Sequence, residues 1–171
     1  HAMRSELDDA LACYGEAERI ARDLGDRRRI AQLMRQRGGL HLRRQELEPA
    51  LSCYEQAEKI GAETGDRRLV ALNRSHRGIA LFMAGRQDEA IETLQDGLRV
   101  YGAIHADRTL EYFQFESNLA QMLAEVGEQE RAKQSARAAL ELAAALGLGD
   151  EHSSPIIREG IKRLRELVAT P

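Results

Sequence analysis

Ala50, Tyr54, Ala57 and the pair Ile60/Gly61 follow one another at three- or four-residue steps, a spacing that gathers them on one face of an α-helix. Polar residues fill the positions between them, so the helix is amphipathic and needs a neighbour to cover its apolar side. Gly25-Asp26 and Gly65-Asp66 close two such stretches. A glycine can take the left-handed backbone that ends a helix, and the Asp after it can cap the next one. The chain therefore reads as two alternating kinds of helix. Helix B runs up to each Gly-Asp, and helix A covers roughly 27–44, 67–84 and 108–126, with Gly85 and Gly127 ending the last two.

Residues 9–28 laid over 49–68 give 11 identities in 20 at an offset of 40 without a gap: Ala10/Ala50, Leu11/Leu51, Cys13/Cys53, Tyr14/Tyr54, Ala17/Ala57, Glu18/Glu58, Ile20/Ile60 and the closing Gly-Asp-Arg-Arg. A third copy begins at Ala90-Ile91 with Leu94, Gly97 and Val100 in register, and a fourth at Ala132 with Ala136, Ala139 and Leu142 after a two-residue slip. Self-similarity at this period marks a solenoid of stacked helix pairs. The pattern predicts about three and a half units: helix B of the first at about 5–24, the second at about 27–64, the third at about 67–104 and the fourth at about 108–147. Beyond Gly149-Asp150, Ser154 reads as an N-cap with Pro155 at the first helical position. Ile157, Ile161, Leu164 and Val168 then recur at helical steps, and Arg158, Lys162, Arg163, Arg165 and Glu166 supply a polar outer side, which predicts a capping helix over about 154–168. Residues 1–3 read as a cloning remnant and 4–170 as a single domain, whose first helix B lacks its helix A and leaves a flank unpaired.

These units resemble tetratricopeptide repeats. The resemblance rests on Gly38, Ala50, Tyr54 and Ala57, then Gly78, Gly85, Ala90, Leu94 and Gly97, then Leu119, Ala120, Leu123, Gly127, Ala132, Ala136 and Ala139, and covers roughly 5–148. The 40-residue period is similar to the long-helix variety of kinesin light chains, LGN and MalT-like bacterial regulators. The resemblance implies an all-α fold, a right-handed α-α superhelix, and a scaffold or adaptor that holds a peptide or helix of another protein in its concave groove. Carried over by repeat position, the groove residues are Gln32, Arg35, Gln36, Gly39 and Arg43, then Leu72, Ser75, His76, Ile79 and Met83, then Gln114, Ser117, Asn118, Gln121 and Glu125. A complementary segment is acidic, then apolar, then amide-bonding or basic. Asn118 stands out because an amide can donate to and accept from a peptide backbone at once. The alternative implied is the sensory or oligomerisation segment of a larger MalT-like regulator that binds a small effector, with the unpaired first helix B as a route to a homodimer. Arg37, Arg74 and Arg77 stand where the family pattern has large apolar or aromatic residues; their stems can cover apolar surface while their heads reach water.

Composition narrows the chemistry. The 25 Lys and Arg nearly balance the 28 Asp and Glu, giving a net charge of -3, so the overall field argues against nucleic acid and acidic lipid as partners. No apolar stretch approaches the roughly 18 to 20 residues that span a bilayer, and no signal peptide opens the chain. Two cysteines without CxxC spacing fit a reducing, cytoplasmic setting, and their matching repeat positions suggest small buried residues of helix B. Arg- and Ala-rich usage suggests a bacterial source. No P-loop, GxGxxG, HExxH, GxSxG or EF-hand spacing occurs, and His41, His76, His105 and His152 form no metal-binding face. The expectation is a non-enzyme with no cofactor and no metal. Two local features remain. Seven arginines and no acid lie between Arg27 and Gln45, against five glutamates and no base in 111–130, read either as steering of an acidic partner or as solvated helix formers. Tyr101, Tyr112, Phe113 and Phe115 cluster at the register slip, either filling the gap it opens or anchoring a partner.

Overall fold

A computed structural model of the chain describes residues 2–104, 108–149 and 153–170. These hold eight helices and no strand: α1 (Ala2–Asp23), α2 (Arg27–Arg43), α3 (Leu47–Glu63), α4 (Arg67–Met83), α5 (Gln87–Ala103), α6 (Leu110–Glu125), α7 (Gln129–Ala145) and α8 (Pro155–Ala169). His1, His105, Asp150 and His152 lie outside the described residues. The chain divides into two compact units, His1–Val100 and Tyr101–Pro171, and each is described by itself.

In the first unit α1 packs on α2, α2 on α3 and α3 on α4, while α2 also touches α4. The turns follow from the Gly-Asp pairs. Gly65 takes φ 70° and donates to the carbonyl of Ala62 at 3.3 Å, while Asp66 donates to that of Gly61 at 2.9 Å, so the last carbonyls of α3 are satisfied. The Asp66 carboxylate then accepts from the backbone N–H of Leu69 at 2.9 Å and starts α4. Gly25 and Asp26 repeat the arrangement between α1 and α2, with Asp26 accepting from Arg29. At the equivalent turn after α2 no glycine is present, and Gln45 is forced to φ 61°. Gln45→Gly is therefore expected to stabilise the chain by about 1 kcal/mol, read as a higher thermal midpoint; an unchanged or lower midpoint would show that this turn carries no strain.

Helix contact is closest where side chains vanish. A Cβ on Gly38 would stand 2.8 Å from Cε1 of Tyr54, and one on Gly78 would stand 3.0 Å from the Leu94 backbone N and the Ala90 carbonyl oxygen. Tyr54 and Leu94 are accordingly buried, with Ala31, Ala50, Ala57, Ala71, Ala80 and Ala90 at zero exposure between the helices. The arginines that break the family pattern do not simply send their heads to water. Arg37 bonds at 2.5 Å to Glu18, a carboxylate buried on α1 that also holds Arg22, and one repeat later Arg74 and Arg77 share Glu58 of α3 at 2.6 and 3.5 Å. The first two B helices, α1 and α3, thus each tie down the following helix A through a repeated Glu–Arg pair. Removing one member of a buried pair strands the other; with Arg37 about a third in water, Glu18→Ala is expected to cost roughly 2 kcal/mol, and chemical denaturation that finds no loss would mean the pair is neutral.

The first unit also corrects one expectation. Cys53 is buried but Cys13, its repeat mate, is exposed, and both thiols are free. The difference is neighbours: α3 sits between α2 and α4, whereas among the described residues α1 packs on α2 alone. Ile20 of α1 and Leu24 in the turn after it are likewise left 48% and 77% exposed.

In the second unit α6 packs on α7, and α8 lies against both. Small residues again set the approach, with Ala120 of α6 and Ala132, Ala136 and Ala139 of α7 fully buried. Ser154 caps α8 by accepting from the Ile157 N–H, with Pro155 at its first position. Ile161 and Leu164 are buried, each contributing roughly 2 kcal/mol. Arg158, Lys162, Arg163, Arg165 and Glu166 are exposed on the outer side, so α8 is a capping helix. The aromatic cluster is interior: Tyr101, Phe113 and Phe115 are buried, with the Tyr101 ring 6.1 Å from Tyr112 edge-on and 6.0 Å from Phe115. The rings fill the slip in register, and of the four only Tyr112 reaches the surface in part.

Candidate functional site: the cleft between α2 and α4

Gln32, Arg35 and Gln36 of α2 and Leu72 of α4 line one cleft of about 150 Å³, together with Arg28, Asp66, Arg68 and Leu69. The helical step on α2 and the matching face of α4 bring these side chains together because α2 and α4 are in contact across α3. Four of the residues expected from repeat position are therefore neighbours. Gly39 and Ile79 are partly buried, and Arg43 and Met83 are exposed. Ser75 does not belong with them: it is fully buried, and its Oγ occupies the space beside Gly97 of α5, where a Cβ would stand 2.3 Å away. Spacing alone draws the helical face one position too wide. Arg28, Arg68, Asp66 and Leu69 escaped the sequence reading, although the Asp66-Arg67-Arg68 run at the mouth of α4 is the signal that marks them.

The lining is cationic. Asp66 is its one carboxylate, and it is engaged by the Leu69 N–H and by Arg28 at 3.5 Å. The wider arginine run is largely neutralised in place: Arg27 pairs with Glu63, Arg37 with Glu18, and Arg44 with Asp8 and Glu46. Arg35 differs in having no carboxylate partner among the described residues. Its Nε, like that of Arg37, is buried without an acceptor. Its charge is felt by two groups behind the cleft, Tyr54 of α3 and His76 of α4, whose rings stack with centroids 5.4 Å apart and planes 14° apart. Burial pushes the Tyr54 hydroxyl up to about 12, with Arg35 opposing. Burial pulls His76 down to about 4, and Arg35 adds to that fall, so the imidazole is neutral near pH 7.

On the second unit, α6 carries Gln114 and Glu125 exposed and Asn118 and Gln121 partly buried. Ser117 is buried, its hydroxyl donating to the Phe113 carbonyl at 2.7 Å, and so repeats the departure seen at Ser75. Beside them Glu116 has its carboxyl pushed up by burial, against hydrogen bonds from Tyr112 and Ser135. Among the described residues no group of three or more His, Cys, Asp or Glu is placed to hold a metal ion, and no helix is long and apolar enough to cross a membrane.

Residues 29–103 match the model of the tetratricopeptide repeat family. Among solved structures, the crystal structure of BtubC (BKLC) from P. vanneervenii is similar with a TM-score of 0.79 at 20% identity, over 94% of this chain and 65% of that one. At that identity the likeness speaks for the fold, a helical-repeat solenoid, and this chain spans just under two thirds of the solved one. No curated protein matches.

Proposed function

We propose, from the premise that residues 29–103 of this chain are tetratricopeptide repeats, that it is a protein-interaction scaffold holding a peptide or helix of another protein against α2 and α4. Such repeats are in general protein–protein interaction scaffolds, which leaves the surface and the partner to be assigned. The observation that carries the assignment is the cleft itself: Gln32, Arg35, Gln36 and Leu72 converge on it, offering amide donors and acceptors for a peptide backbone together with aliphatic lining. Leu72, Ile79 and Met83 supply apolar contact along α4, and the flanking polar residues supply selectivity. On this reading the protein performs no catalysis and works in the cytoplasm, where the free thiols Cys13 and Cys53 stay reduced.

A photo-crosslinking amino acid placed at exposed Gln36 is expected to trap partner proteins from the host, while the same group at exposed Lys59 on α3 traps none of them. Identical adducts from both positions, or none from Gln36, would remove the cleft from consideration.

A second reading rests on α1, where Ile20 and, just past the helix end, Leu24 are exposed. It makes α1 a surface for self-association, or for assembly into a larger regulator that binds a small effector. Light scattering is expected to show a mass that rises with concentration and returns to the monomer in Ile20→Glu; a monomer at every concentration argues against self-association.

A further inference from the structure

We infer that the α2–α4 cleft is a socket for a carboxylate side chain of an acidic peptide, with Arg35 as the residue that selects it; this deepens the scaffold reading and rests on it. Arg37, Arg44, Arg74 and Arg77 of the first unit are, like Arg35, partly buried, and each is bonded to a carboxylate of a neighbouring helix or turn. Among the described residues Arg35 has no such partner, and its Nε, like those of Arg37 and Arg77, is buried without an acceptor. A cation partly withdrawn from water beside no anion gains a charge-assisted bond when a carboxylate arrives.

The surroundings do not supply that anion. Asp66 is already shared between the Leu69 N–H and Arg28. Tyr54 and His76, which Arg35 faces from α3 and α4, are held in their neutral forms near pH 7. The third and fourth units carry Ser75 and Ser117 at the matching position, both buried, so the charge is peculiar to this repeat and is not part of the packing pattern. The cleft of about 150 Å³ is also lined by Leu69 and Leu72 and by Gln32 and Gln36. That combination suits a glutamate: methylenes on the leucines, carboxylate on the arginine, and backbone against the amides.

The test uses the full chain and a random peptide library displayed on phage, selected in parallel on wild type, Arg35→Gln and Arg35→Lys, with circular dichroism to establish that each variant is folded. Wild type is expected to enrich peptides with an acidic residue beside apolar ones. Arg35→Gln keeps the apolar preference and loses the acidic one, and Arg35→Lys, which keeps the charge, retains the acidic one. A wild-type hit synthesised with Glu or with Gln at the acidic position should differ in Kd by roughly 10- to 100-fold on wild type and by little on Arg35→Gln. Enrichment of apolar residues without acidic ones, or the same acidic preference in Arg35→Gln, overturns the carboxylate socket and leaves the scaffold reading standing. No enrichment on wild type overturns both. Should Arg35→Gln fail to fold, the Glu/Gln peptide comparison on wild type and Arg35→Lys decides, equal Kd values overturning the inference.

Discussion

Gly78→Val is expected to lower the stability of the chain by roughly 4 kcal/mol, a large fraction of what holds a domain of this size together. The reason is local and visible. A Cβ at position 78 would stand 3.0 Å from the Leu94 backbone N, from the Leu94 Cβ and from the Ala90 carbonyl oxygen. None of these is the far end of a flexible side chain, so relief requires α4 and α5 to part. Alanine already overpacks this contact, but it regains about 1 kcal/mol of helix propensity lost by glycine; valine adds two further carbons with less of that compensation. The control is Gly15, inside α1, where a Cβ would meet nothing within 4 Å. Gly15→Ala should stabilise by up to about 1 kcal/mol. The same class of change thus has opposite signs at two helical glycines, and urea denaturation of the variants reads it directly. A Gly78→Val protein as stable as wild type would mean that α4 and α5 do not approach as described.

The second large effect concerns acid. His76 titrates near 6.5 in an unfolded chain and near 4 in the folded one, because burial first and Arg35 second oppose its charge. Between those values the unfolded chain binds a proton that the folded chain refuses, so stability falls as pH drops from 6.5 towards 4 and is fully present above 6.5. The whole change is worth roughly 3 kcal/mol, of which about 2 kcal/mol is lost by pH 5. His76→Phe keeps a ring to stack on Tyr54 and removes the titration. Denaturation midpoints near pH 7.5 and near pH 5 should therefore converge for His76→Phe and diverge for wild type. Equal losses in the two proteins would place the acid sensitivity elsewhere than on His76.

Much of this architecture was legible beforehand, and the reasons differ from place to place. The alternation of helices followed from period and from the Gly-Asp pairs, because those residues act through backbone geometry and need no knowledge of neighbours. The Glu–Arg ties were also present in the chain as identical residues nineteen positions apart, Glu18 with Arg37 and Glu58 with Arg77. Read one residue at a time, the glutamates mark the repeat and the arginines depart from the family pattern, and neither alone shows the tie between them. The third copy makes the point from the other side, with Leu98 where the first two copies have Glu. Ser75 and Ser117 were misplaced for a geometric reason: periodicity fixes the centre of a helical face, but its edge depends on what packs alongside. Cys13 was misplaced because repeat equivalence presumes equal neighbours, and α1 does not have them. Arg35 was named among the groove residues, yet its want of an acid could be seen only once every nearby carboxylate had been assigned.

Between α1 and α5 every connection is three residues long, and at Asp26 and Asp66 one residue both seals the helix before it and opens the helix after it. A chain strung this way has no joints. Under load it cannot swing at a hinge, so a partner pressing on α2 and α4 must bend the stack as a spring bends, by small slippages shared among all its coils.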